Sequence, residues 1–97
     1  MTSAFVVFIK EETLDPAELA IYKAQVGQSF VGRDFAVRVA YGDHEVLEGP
    51  PVEGVVILEF PTVQAAREWY HSPQYQEAAA HRFKGATYRA VLVSGKD

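Results

Sequence analysis

The chain has 97 residues and a mass of 10.8 kDa, room for one domain (residues 1–97) with a modest core. Hydrophobic residues make up 48% and charged ones 23%, a globular balance that argues against disorder. Thirteen acidic against nine basic side chains, a net charge of −4 and no cysteine argue against nucleic-acid and anionic-membrane partners and exclude disulfides and thiolate metal sites.

Ala4–Lys10 is a continuous run rich in Phe, Val and Ile, which predicts a strand buried on both faces. The run is too short for a signal-peptide core and no basic segment precedes it. No stretch approaches the ~20 apolar residues of a membrane span. A cytoplasmic protein is the expectation. Asp15 is placed as an N-cap, Pro16 as first helical residue and Glu18 as the far side of a capping box, with Leu14 and Leu19 as a hydrophobic staple. The helix is expected to reach Val26 and stop at Gly27, burying Leu19, Tyr22 and Val26. Phe35–Tyr41 reads as a second strand, Gly42-Asp43-His44 as a turn, and Glu45–Glu48 as a short extended piece ended by Gly49-Pro50-Pro51.

The second half repeats the plan. Val55–Phe60 mirrors the opening strand, and Thr62 caps a helix with Val63, Ala66, Trp69 and Tyr70 along one side. Ser72-Pro73 ends that helix and caps the next, whose buried side is expected to be Tyr75, Ala78, Ala79 and Phe83. Gly85 stops it before a final strand, Thr87–Ser94. The order is βαββαβ, an α+β ferredoxin-like plan with an antiparallel sheet. Two helical layers of cover would occupy one sheet face, yet Phe5–Ile9, Val55–Leu58 and Ala90–Val93 have few polar interruptions. The second face therefore calls for a partner, most simply a second copy in a twofold, sheet-to-sheet dimer.

Val46-Leu47-Glu48-Gly49, Glu59-Phe60-Pro61 and the string Ala66-Arg67-Glu68-Trp69-Tyr70-His71-Ser72-Pro73-Gln74-Tyr75-Gln76 resemble the signature of the DUF1330 family. These are small uncharacterised proteins of the dimeric α/β-barrel superfamily. The resemblance spans nearly the whole chain and is most specific in Tyr70-x-Ser72-Pro73-x-Tyr75-Gln76. It departs after Arg38, where the family has a pair of glycines and this chain reads Val39-Ala40-Tyr41-Gly42. The resemblance implies the fold and the dimer but no reaction, because superfamily relatives include cofactor-free monooxygenases, lactone isomerases and haem-dependent enzymes.

No nucleophile elbow, His-Glu-x-x-His or phosphate-binding glycine loop is present. His44, His71 and His81 do not share an element at ligand spacing, so neither a metal nor another cofactor is expected. Glu59 ends an apolar strand and His81 stands near Tyr75 above the sheet; these are the candidate bases. The structural alternative pairs Glu59 with Arg38, Arg89 or a tyrosine hydroxyl. Tyr22, Tyr70 and Tyr75 on helix faces, with Arg38 and Arg89 on strands and Glu48 beside the turn, are the ligand-binding candidates; the arginines favour an anionic molecule. Three functions follow: binding of a small, anionic or aromatic molecule between helices and sheet; a cofactor-independent monooxygenase or isomerase; or a structural dimer with a filled core.

Overall fold

The computed structural model describes residues 2–96; Met1 and Asp97, the ends of the expected domain, lie outside the described residues. Four strands form one antiparallel sheet in the order β2-β3-β1-β4: β1 Ala4–Thr13, β2 Ala36–Ala40, β3 Gly54–Phe60 and β4 Ala86–Ser94. Helices α1 Pro16–Gln25, α2 Val63–Tyr70 and α3 Pro73–Gly85 complete the α+β ferredoxin-like plan. The molecule measures 37 × 33 × 17 Å, a slab two layers thick. Among the described residues no helix is long and apolar enough to cross a membrane.

Register sorts the strand side chains. Ala4, Val6 and Phe8 of β1 share a face with Leu58 and Phe60 of β3, and all five are buried under the helices. The alternate residues Phe5, Val7, Ile9, Val55 and Ile57 lie on the opposite face, joined across β4 by Val91 and Val93, each 48% exposed. One face of this sheet is a core and the other is an apolar surface.

Trp69 sits at the centre of the core, fully buried. Its ring stacks on Phe30 at a centroid distance of 5.0 Å and lies 4.2 Å from Tyr75 and 5.4 Å from Phe60. The indole N–H donates to the Ser29 hydroxyl (3.0 Å), which in turn donates to the Val26 carbonyl (2.6 Å). The α-helix ends at Gln25, within a residue of where its sequence predicts, but these contacts explain why the chain keeps turning beyond it. The chain continues as a 3-10 turn over Val26–Phe30, which delivers Ser29 and Phe30 to the indole, and the left-handed residue is Gly32 (φ 76°).

Caps behave largely as their residues dictate. Asp15 accepts from the Ala17 N–H, Thr62 from Ala65 and Ser72 from Tyr75. Glu18 does not close a capping box; its carboxylate receives the His81 Nδ1–H instead (2.6 Å). Leu14 is 57% exposed, so no staple forms. Leu19 packs on Gly85, where an added Cβ would come within 2.7 Å of Leu19 Cδ2, and the Gly85 carbonyl accepts from Leu14 and Asp15. Glycine at 85 thus lets α1 start directly against the end of α3. Glu45–Glu48 forms no strand: the segment from 41 to 53 is irregular and mostly exposed, held in part by His44 Nε2 donating to the Val52 carbonyl (2.9 Å). Phe83 is 56% exposed, and the residue before it, Arg82, takes the buried place on α3 at 4%.

Replacing Ser29 with alanine strands the buried Trp69 N–H without an acceptor. The expected loss is about 1–3 kcal/mol of unfolding free energy, read as a lower urea midpoint with unchanged m value.

Candidate functional site

Beside Trp69 the helical layer and the sheet do not close on each other. They leave a cavity of about 440 Å³. Its floor comes from the sheet: Phe8 and Lys10 of β1, Val37 and Ala40 of β2, Val56 and Leu58 of β3, and Tyr88 of β4. Leu19, Tyr22, Lys23 and Val26 roof it, Phe30 and Trp69 form the inner wall, and Arg82 reaches in from α3. The alternation of β1 and β3 that buries Phe8, Val56 and Leu58 on the helix side puts Lys10 at the end of the same row. β2 reaches the floor through both Val37 and Ala40 because a register shift between Val37 and Val39 aims two residues toward the helices.

Tyr41 closes the edge of the cavity. It carries a left-handed backbone (φ 57°), uncommon for a residue with a side chain. Its ring lies over Gly54, where an added Cβ would come within 2.4 Å of Tyr41 Cδ1, so the close approach requires glycine. The Tyr41 hydroxyl is 2.6 Å from that of Tyr88, and Lys10 Nζ stands 5.3 Å from the ring centroid. A second phenol pair lies deeper: the hydroxyls of Tyr22 and Tyr75 are 3.1 Å apart.

Burial, reinforced by the partner phenol, pushes the Tyr22 and Tyr88 hydroxyls far above the usual phenol range. Burial also raises Tyr75, against the opposing Arg82 charge. These groups are neutral hydrogen-bonding hydroxyls at physiological pH. They are unsuited to act as bases.

The sequence candidates divide. Tyr22 lines the cavity, and Tyr75 supports it through the hydroxyl pair. Tyr70 instead lines a second cavity of about 240 Å³ with Arg67 and His71. Arg38 is spent on Glu59, its Nε 2.7 Å from the carboxylate, as the structural alternative has it. Register puts Glu59 opposite Phe5 and Arg89 opposite Ile9, both on the open face of the sheet. Hydrogen bonding from Ser3, then from Arg38, holds the Glu59 carboxyl below its usual range. His81 is engaged with Glu18, and Glu48 is exposed on the irregular segment; neither lines either cavity. Among the described residues no group of three or more His, Asp or Glu side chains is placed to hold a metal ion. Polar lining residues of the main cavity that were not among the ligand-binding candidates are Lys10, Lys23, Tyr41, Arg82 and Tyr88. For Tyr88 the signal was there: the period-2 alternation of β4 puts it on the face of Leu92.

A family model described as a domain of unknown function, DUF1330, matches residues 3–96. No curated protein matches the chain. Among solved structures, RPA0582, a protein of unknown function from Rhodopseudomonas palustris, aligns with a TM-score of 0.73 at 23% identity, over 99% of this chain and 84% of that one. A dimeric ferredoxin-like protein of unknown function from Thermobifida fusca aligns at 0.63 and 12%, over 96% of this chain and 91% of that one. SnoaB, a cofactor-independent oxygenase from Streptomyces nogalater, aligns at 0.61 and 14%, over 100% of this chain and 96% of that one. At such identities the likeness is one of fold.

The raised phenols carry a pH signature. A group whose folded pKa lies above its unfolded value contributes stability that is intact below the unfolded pKa, about 10 for tyrosine, and lost as pH climbs beyond it. Urea midpoints measured from pH 8 to 11 are expected to hold and then fall, and Tyr22→Phe to make the alkaline fall shallower.

Proposed function

The chain belongs to the DUF1330 family, and from that starting point we propose that it binds a small, largely apolar molecule in the cavity between helices and sheet. The observation that carries this reading is the cavity itself. A space of about 440 Å³ beside a tightly stacked aromatic core falls in the size range of ligand pockets, about 300–1,000 Å³. Its composition is that of a pocket too: apolar and aromatic walls with a few hydroxyls and cations.

The fold shared with an oxygenase keeps the enzymatic alternative in view. The arrangement of side chains weighs toward binding. A proton-abstracting enzyme needs a base within hydrogen-bond reach of its substrate. Among the described residues the side chains lining the cavity include no carboxylate and no imidazole, and the phenols Tyr22 and Tyr88 are held protonated.

We further propose that the functional unit is a twofold dimer closed through the open sheet face. Phe5, Val7, Ile9, Val39, Val55, Ile57, Val91 and Val93 make that face an apolar surface, and a second copy supplies an apolar surface of the same shape. A solved relative in fold is described as dimeric.

Two measurements test these readings. In a thermal-shift screen of small metabolites, a ligand at a hundred times its Kd is expected to raise the melting temperature by roughly 10–20 °C. Ala40→Phe, which fills the cavity from an edge strand, is expected to abolish the rise; a shift that persists in the variant, or a screen with no shift, overturns the binding reading. Light scattering is expected to give twice the 10.8 kDa chain mass, and Val91→Lys to give one chain mass; a monomeric native protein rejects the dimer.

A further inference from the structure

Arg82 is buried to 4% exposure, yet it forms no ion pair with a carboxylate among the described residues. The ion pairs among the described residues join Lys10 to Glu53, Arg38 to Glu59 and His81 to Glu18. Charged groups are seldom buried without an anion, because their hydration is lost and nothing replaces it. Three rings offset part of that loss: the guanidinium carbon lies 5.1 Å from the centroid of Phe8, 4.9 Å from Phe83 and 5.0 Å from Tyr88. Rings do not satisfy directed N–H groups: the guanidinium hydrogen-bonds the Tyr75 hydroxyl, but its buried Nε has no hydrogen-bond partner among the described residues.

The surroundings repeat the pattern. The cavity gathers Lys10 and Lys23 beside Arg82 and has no acidic lining residue among the described residues, although the chain as a whole carries a net charge of −4. The influence of the guanidinium extends across the site, since its charge opposes the burial-driven rise of Tyr22, Tyr75 and Tyr88 alike. Phe8, Phe30 and Trp69 supply broad apolar walls next to this concentrated positive charge. Such a site is complementary to a molecule with a flat apolar body and one negative end.

We infer that Arg82 is the anion anchor of the cavity and that the ligand is an aromatic carboxylate, its ring system against the aromatic wall and its carboxylate on the guanidinium. A guanidinium fork matches the two oxygens of a carboxylate, and in a water-poor site the charge-assisted pair is strong. Lys10 and Lys23 add a positive field that draws the anion in. This assignment rests on the cavity being a binding site, and it adds the chemical class of the occupant.

The test compares 2-naphthoate with 2-naphthamide, its neutral counterpart of nearly the same shape, by isothermal titration calorimetry on the full chain. The carboxylate is expected to bind at least about tenfold more tightly. In Arg82→Met that preference is expected to vanish, while the ligand-free variant keeps or raises its urea midpoint, because replacing a buried unpaired charge with an apolar chain of similar length relieves desolvation. Should Arg82→Met fail to fold, Arg82→Lys serves instead: it is expected to retain a preference for the anion at reduced affinity, and unreduced affinity there overturns the anchor. Equal binding of the two probes by the native protein overturns the assignment and leaves the cavity reading intact. An Arg82→Met protein that keeps the preference shows that the anion is held elsewhere. If neither probe binds, the aromatic-carboxylate class fails, and the metabolite screen decides the cavity reading separately.

Discussion

The indole of Trp69 governs the distance between the helical layer and the sheet. It is too large to be accommodated by one neighbour, so it draws Phe30 from the 3-10 turn, Tyr75 from α3 and Phe60 and Phe8 from the strands into one cluster. Its N–H needs an acceptor in a place without water, and Ser29 supplies one only because the chain after α1 keeps turning. With that spacing set on the α2 side, the layer over β2 and β3 stands clear of the sheet. The cavity is the space left where the wedge ends.

One half of the helical layer is packed on the sheet and the other stands open over the cavity. The packed half contains Ala66, Trp69, Tyr75 and Ala79, all essentially inaccessible to solvent. The open half contains Tyr22, the Tyr41–Tyr88 pair and Arg82. Arg82 belongs to both: its side chain covers Phe8 on the core side, and its head group carries charge into the cavity. The irregular segment from 41 to 53 enters this scheme through Tyr41, whose hydroxyl meets Tyr88 from the far edge of the sheet.

Element order and caps were legible in the residues because they follow from local chemistry: Asp15, Thr62 and Ser72 cap, and Pro73 separates two helices. What local rules missed was long-range. Helix periodicity offers both Arg82 and Phe83 to the α3 interior, and hydropathy selects Phe83; the structure buries Arg82 because three rings are arranged to receive a guanidinium. Glu18 is in capping-box position, but His81, 63 residues away, offers a better donor. Arg38, Arg89 and Glu59 were legible as charges on strands, and Glu59–Arg38 as a pair, yet which face of the sheet they occupy depends on register. Within the family-like string, Ser72-Pro73 fixes the helix break that seats Trp69 and Tyr75.

β2 is five residues long, pairs only with β3 and runs into the irregular segment, yet it furnishes Val37 and Ala40 to the cavity floor. The opposite boundary, Phe8 and Trp69, is embedded in the core. The two boundaries therefore differ in how freely they tolerate sequence drift. A change at Phe8 or Trp69 is felt by the whole fold, whereas a change along β2 or at Tyr41 reshapes the chamber at small cost to stability. Evolution can reshape such a chamber by editing its rim, leaving Arg82 and the scaffold beneath it untouched.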